Sequence, residues 1–98
     1  MKEDLVYDRT VIKIRTKENM YYTFMEFPWK EIQQDEACKT FKDARAYAKY
    51  LAQGKIQDIV FDPTNNNLLY LFPENKAISR DNIKEIYVDE IIALKPEN

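Results

Sequence analysis

The chain has 98 residues, of which 45% are hydrophobic and 33% are charged, and its formal net charge is −2. A chain of this length buries only about two thirds of its unfolded surface, so we expect a single domain over residues 1–98, too small for a multi-step enzyme. The small net charge disfavours both a strongly cationic nucleic-acid binder and a densely acidic nucleic-acid mimic.

The first predicted element is a strand over residues 10–17, which read T-V-I-K-I-R-T-K. Apolar and cationic side chains alternate along it, and a period of two is typical of a strand with one buried face. The core face carries Ile12 and Ile14, and the outer face carries Lys13, Arg15 and Lys17.

The aromatic run M-Y-Y-T-F-M-E-F then predicts a second strand and therefore a hairpin. We expect a three-residue loop in which Asn19 takes the left-handed conformation. This loop pairs Ile14 with Tyr22 and Ile12 with Phe24. A two-residue loop would turn both aromatic rings outward, and we prefer the first because it buries more aromatic surface.

A helical pattern follows. Pro28 should end the second strand, and residues 28–39 should form a loop or a short helical turn. The main helix is predicted to begin near Thr40, an N-cap residue with an acid, Asp43, three residues on. It is predicted to end at Gly54, the only glycine in the chain. An apolar stripe contains Phe41, Ala44, Ala48, Leu51 and Ala52, and three cations lie beside it, Lys42, Arg45 and Lys49.

Three further strands are predicted in the remainder of the chain. They are expected over residues 55–62, 68–72 and 85–94, with turns at residues 63–67, 73–76 and 79–82 and a frayed tail at residues 95–98. The second of these is apolar almost throughout and is therefore expected to be central. The last is ambiguous, because Ile83, Tyr87, Ile91 and Leu94 also have helical spacing.

The order β-β-α-β-β-β predicts the fold class. It is an α+β domain of two layers, an antiparallel sheet of about five strands with one main helix packed across a face.

Residue types that serve most catalytic and cofactor sites are scarce. The chain has no histidine and one cysteine, Cys38, so a thiol nucleophile would lack an imidazole partner. One glycine cannot build a phosphate-binding loop. Residues 62–73 fail as a calcium loop, because Asn67 replaces the required glycine and Pro73 the required glutamate. We therefore expect no enzyme, no cofactor and no metal site.

The compartment is inferred from the same residues. A single cysteine excludes an internal disulfide, and the N-terminal M-K-E-D-L-V-Y-D lacks the apolar core of a signal peptide. No apolar run approaches the roughly 18 residues of a membrane span. We expect a cytoplasmic protein without membrane contact.

Protein binding is the function that the sequence favours. Trp29 follows Pro28 in a connecting segment, and a tryptophan in a loop often anchors an interface. The predicted interface is Trp29, Phe27, Tyr21 and Ile32. In the alternative, Trp29 forms a lid over the end of the helix. Small domains without cofactors are frequent among phage and mobile-element accessory proteins, so we expect a protein that binds and inhibits a host protein.

Basic residues beside aromatic ones leave a second interpretation open, nucleic-acid binding. The candidates are Lys13, Arg15 and Lys17 on the first strand and Lys42, Arg45 and Lys49 on the helix. Pairing with acids is the competing explanation for these cations. A third alternative is self-association through an exposed sheet edge, including an oligomer that sequesters a small molecule. In the opposite interpretation, Lys13, Arg15 and Lys17 are the charges that keep such an edge from pairing.

Overall fold

The computed structural model describes residues 5–60, 68–71 and 76–94, and its main elements in these ranges are five antiparallel strands and one long helix. The strands are β1 (Leu5–Thr16), β2 (Tyr21–Pro28), β3 (Leu68–Tyr70), β4 (Ala77–Ser79) and β5 (Ile83–Leu94). The helices are α1 (Trp29–Ile32), which is a single turn, and α2 (Ala44–Val60), with 3₁₀ turns at Glu36–Thr40 and Arg80–Asn82. The α+β class with one main helix is confirmed.

The strands form two sheets rather than one. β1 lies between β2 and β5 in a three-stranded sheet, and β3 pairs with β4 in a two-stranded sheet. The prediction of a central strand at residues 68–72 is wrong, since β4 is the only partner of β3 among the described strands. Leu69 and Leu71 are nevertheless buried, because the small sheet packs on the core. Since β1 is central, Lys13 and Arg15 do not protect a sheet edge, and that interpretation is wrong as well.

The β1–β2 hairpin follows the predicted register near its turn. Ile14 pairs with Tyr22. The Thr16 N–H donates to the Met20 carbonyl at 2.9 Å and closes the three-residue loop. Asn19 has a φ of 63°, the left-handed conformation that the sequence predicts for it.

A bulge at Phe24 changes the register beyond the turn. The sequence predicts Ile12 opposite Phe24, but Ile12 pairs with Met25, because Phe24 has no partner on β1. Phe24 still packs against the core around Ile14. Ile12 and Ile14 are fully buried, so the predicted core face of β1 is confirmed.

The main helix begins at Ala44 rather than near Thr40. Asp43 provides the cap, because its Oδ1 accepts the Ala46 N–H at 2.8 Å. The Thr40 hydroxyl instead donates to the Ala37 carbonyl at 2.8 Å, within the 3₁₀ turn that precedes the helix. Asp43, the acid of the predicted capping pair, is therefore the N-cap residue in place of Thr40.

The main helix also continues past Gly54, its predicted last position. No glycine of the described chain has a positive φ, so Gly54 is an ordinary helical residue. The predicted third strand at residues 55–62 is wrong for residues 55–60, which are helical, and its last two residues lie outside the described chain. Ile59 is buried on the same side of the helix as Ala52, and this packing outweighs the local strand preference.

The C-terminal segment is a strand and not a helix, because β5 pairs with β1 over its whole length. The turn predicted before it is a 3₁₀ turn, in which the Ser79 Oγ accepts the Asp81 N–H at 3.3 Å. The turn predicted at residues 63–67, most of the turn at residues 73–76, and the tail at residues 95–98 lie outside the described residues.

Two clusters of buried side chains lie on one face of the three-stranded sheet. The Ile14 cluster joins β1, the end of α2 and the small sheet, and contains Ile14, Ile59, Leu69, Leu71 and Ile78. The Trp29 cluster joins α1, the first 3₁₀ turn and the start of α2, and contains Trp29, Cys38, Ala44, Tyr47 and Ala48. Within the ranges given above, no helix is long and apolar enough to cross a membrane.

Candidate protein-binding site

Trp29 is buried and does not project from a loop. It is the first residue of α1, and 6% of its surface is exposed. Its indole Nε1–H donates to the Thr10 Oγ1 of β1 at 2.8 Å. Pro28 precedes α1 with a φ of −64°, and the chain turns there so that the ring lies over β1. This position fits the lid interpretation, because Trp29 packs against the start of α2, and it leaves little of the ring available as a surface anchor.

The other residues of the predicted interface do not form one surface. Phe27 and Ile32 are half-buried against the Trp29 cluster. Tyr21 is 58% exposed and pairs with Arg15 at the start of β2. The structure thus brings Phe27, Ile32 and Trp29 together as packing residues and leaves Tyr21 apart, on the Arg15 face of the sheet.

A groove of about 610 Å³ lies between α2 and the edge strand β2, and we call it the β2 groove. Met25 and Phe27 line it from the strand, and Tyr50 and Leu51 line it from the helix. The other lining residues are Gln53, Gly54, Lys55, Gln57 and Asp58. The lining is therefore mainly apolar and amide in character, with one cation and one anion.

Tyr50 presents an aromatic ring to the solvent at this groove, with 61% of its surface exposed. Its ring centroid lies 5.1 Å from that of Phe41 and 6.5 Å from that of Tyr47. The Tyr47 hydroxyl donates to the Asp35 Oδ2 at 2.9 Å, and this hydrogen bond raises the pKa of Tyr47. Because its neighbours are fixed in this way, Tyr50 offers a large contact area that loses little entropy on binding.

Gly54 opens the helical wall of the β2 groove. A Cβ atom added at Gly54 would meet no atom within 4 Å. The helix does not need glycine here, since the φ of Gly54 is not positive. The missing side chain widens the groove beside Leu51, where an incoming side chain can approach the helix closely.

The cations on the outer face of β1 are paired with acids of β5. The Lys13 Nζ lies 3.4 Å from a carboxylate oxygen of Asp89. The Arg15 Nη2 lies 2.9 Å from a carboxylate oxygen of Glu85. Pairing with acids is thus confirmed for these two nucleic-acid candidates, whereas Lys17 is exposed in the hairpin loop.

The cations of the helix flank converge on one acid. Arg45 lies 2.9 Å and 2.7 Å from the two carboxylate oxygens of Glu90, and the Lys49 Nζ lies 2.9 Å from one of them. The Glu90 side chain is 16% exposed, and the hydrogen bond from Arg45 lowers its pKa. Lys42 precedes the helix and is exposed. Asp89 and Glu90 bind cations on opposite faces of the sheet, as neighbours on a strand must.

A second groove, the β5 groove, lies between α2 and the other sheet edge and has a volume of about 490 Å³. Its lining includes Lys49, Asp89 and Glu90, which take part in the ion pairs described above, together with Val88 and Ile92. The β5 groove is therefore charged, and the β2 groove is the more apolar of the two.

Sequence reasoning missed Met25, Tyr50 and Gly54 as members of a site. A signal for two of them was present, because Tyr50 and Gly54 are four residues apart and lie on one side of a helix that continues past residue 54. This relationship was missed because the helix was predicted to end at Gly54. In the described part of the chain, no three acidic or cysteine side chains are grouped as a metal site.

Comparison with known protein families, with curated proteins and with solved structures gives no match to this chain.

Proposed function

We propose that this chain is a non-enzymatic binding protein, that its partner is another protein, and that the β2 groove is the docking surface. The observation that carries the proposal is the exposed Tyr50 ring beside Met25 and Phe27 in a groove of about 610 Å³. The centre of a protein interface is rich in aromatic residues and methionine and poor in charge. The lining of the β2 groove has this composition.

Tyr50 is the residue from which we expect the largest contribution to binding. A few aromatic residues in a desolvated centre supply most of the binding free energy of many interfaces. Tyr50 is exposed before binding and rests on Phe41 and Tyr47, so it can be covered without a rearrangement of the helix. We expect Tyr50→Ala to weaken binding by about 2 kcal/mol or more.

Nucleic-acid binding has less support from the geometry. Phosphate binding requires cations that can exchange small counterions for phosphate groups. Lys13 and Arg15 lie within 3.4 Å of carboxylates on one face of the sheet, and Arg45 and Lys49 within 2.9 Å of Glu90 on the other. A phosphate would have to displace these partners.

The proposal includes two narrower expectations from the sequence. The first is a cytoplasmic location, which suits the unpaired and buried Cys38. The second is that binding inhibits a host protein, as in a phage or mobile-element accessory protein. Inhibition follows if the segment that enters the groove is one that the partner uses in its own activity.

Affinity capture from a bacterial lysate tests the proposed function. The baits are the wild type, Tyr50→Ala and Ile92→Ala, each with and without nuclease. Tyr50 and Ile92 are matched, because their side chains are large, apolar and 61% and 48% exposed, and they line different grooves. We expect one protein to be retained by the wild type and by Ile92→Ala regardless of nuclease, and to be lost with Tyr50→Ala. Capture that depends on nucleic acid, or that Tyr50→Ala leaves intact, would contradict the proposal.

A further inference from the structure

β2 is the sheet edge that carries fewer charged residues, and between its bulge at Phe24 and its terminal Pro28 it leaves residues 25–27 open to pairing with another strand. Among the described strands its only partner is β1. Glu26 is the one charged residue in its eight positions, and the Glu26 carboxylate accepts the Arg9 Nη1–H at 2.8 Å. The other edge strand, β5, carries Lys84, Glu85, Asp89 and Glu90. Charged residues commonly protect sheet edges, so a further strand is expected at β2 rather than at β5.

The β2 groove lies directly beside this edge. Met25 and Phe27 belong to β2 and line the groove. A strand added alongside β2 would direct every second side chain towards the groove. A side chain that enters there meets Leu51 and the opening at Gly54, so main-chain pairing and side-chain burial can occur together.

The charge of the groove selects the kind of segment that fits. Lys55 and Asp58 contribute opposite charges, and the remaining polar lining is the amides Gln53 and Gln57. Because these two opposite charges leave the groove without a net charge, a charged side chain that enters it would be attracted by one and repelled by the other, and would lose water for little electrostatic gain. An uncharged segment with a large apolar side chain is the complementary ligand.

We propose that β2 binds an extended, uncharged segment of the protein partner as an additional strand, and that one large apolar side chain of this segment enters the β2 groove over Gly54. This inference rests on the proposed function, since it states how the partner is held. The bulge at Phe24 interrupts β2, so continuous pairing begins at Met25, next to the groove.

A yeast-displayed library of linear peptides of about twelve residues tests the inference. Selected peptides are measured against the wild type, Gly54→Leu and Gly54→Ala. Both substitutions add a Cβ that meets no atom within 4 Å and both favour the helix, but only leucine fills the opening. We expect the selected peptides to be uncharged with alternating apolar residues, to lose affinity about tenfold or more with Gly54→Leu, and to lose less affinity with Gly54→Ala, because one methyl group fills only part of the opening.

Amide hydrogen exchange separates strand addition from other modes of docking. A bound strand should slow the exchange of those β2 amides that do not bond to β1. Unprotected β2 amides, peptides that bind Gly54→Leu normally, or a selection without enrichment would overturn the inference. The free protein could also prove to be a dimer that Gly54→Leu makes monomeric. That result would place a second copy of the chain in the groove and would overturn the inference too. Loss of lysate capture with Tyr50→Ala while β2 amides stay unprotected would overturn strand addition alone and leave the proposed function standing.

Discussion

The indole Nε1–H of Trp29 donates a hydrogen bond of 2.8 Å to the hydroxyl oxygen of Thr10, and Thr10 itself is 0% exposed. The bond joins the first residue of α1 to the central strand of the larger sheet. A residue that looks like an exposed anchor in the sequence is therefore a link between two layers of the fold. Its substitutions are expected to act on stability first.

Thr10→Val keeps the shape of the side chain and removes the acceptor for the indole N–H. Water cannot easily replace a partner lost at a buried position, so we expect the free energy of unfolding to fall by about 1–3 kcal/mol. Urea denaturation followed by Trp29 fluorescence measures this change. Thr23→Val, at a half-exposed position of β2, is the matched control, and an equal loss in both variants would speak against a special role for the bond.

Trp29→Ala removes the largest side chain of the Trp29 cluster. Truncation of a buried tryptophan lowers the free energy of unfolding by about 3–5 kcal/mol, and we expect a loss in this range, measured by circular dichroism in denaturant. Trp29→Phe should retain more of the stability, because it keeps an aromatic ring among the same neighbours. Unchanged stability in Trp29→Ala would return this residue to the list of surface candidates.

Glu90 makes stability depend on pH in the acid range. Its pKa in the folded protein lies below the ordinary value of 4.5, because the carboxylate accepts hydrogen bonds from Arg45 and Lys49. The ion pairs therefore stabilise the fold fully above pH 4.5, and this contribution is lost as the pH falls through the folded-state pKa. We expect the free energy of unfolding to fall more steeply with acid in the wild type than in Glu90→Gln.

The control for this substitution is Glu85→Gln on the same strand. The Glu85 side chain is 46% exposed, against 16% for Glu90, so Glu85→Gln should lower the free energy of unfolding at neutral pH less than Glu90→Gln does. Denaturation curves at several values between about pH 5 and pH 3 give the slopes. Identical slopes for the wild type and Glu90→Gln would show that the ion pairs of Glu90 do not contribute to the pH dependence of stability.

Gly54→Ala should stabilise the protein. Gly54 is inside α2, its φ is not positive, and an added Cβ meets no atom within 4 Å. Alanine has the higher helix propensity and restricts the unfolded chain, so the free energy of unfolding should rise by about 0.5–1 kcal/mol. A lower melting temperature, or a lower midpoint of urea denaturation, would mean that the chain is not helical at this position in solution.

The sequence predicts those parts of the fold that depend on neighbouring residues. The alternation around Ile12 and Ile14 and the left-handed Asn19 are local patterns, and both are confirmed. The end of the helix could not be predicted, because the burial of Ile59 depends on β1 and on the small sheet. The position of Trp29 likewise depends on Thr10, a residue in another element.

The candidate site was largely hidden from sequence analysis for the same reason. The β2 groove forms where Met25 and Phe27 of a strand meet Tyr50 of a helix. No local pattern connects residues so far apart in the chain. The sequence is compatible with pairing of the basic residues with acids, but the convergence of Arg45 and Lys49 on Glu90 depends on how α2 lies against β5.

The central position of β1 also affects how the chain folds during synthesis. β1 pairs on one side with β2, the next strand, and on the other with β5, so that Leu5 lies opposite Leu94, 89 positions later. Contacts between such remote residues close a long loop and make folding slow. A nascent chain can form the first hairpin early, but one edge of β1 stays open until β5 has left the ribosome. Over that interval the hairpin exposes apolar surface and unpaired backbone, which makes it a target for chaperones and a source of aggregation.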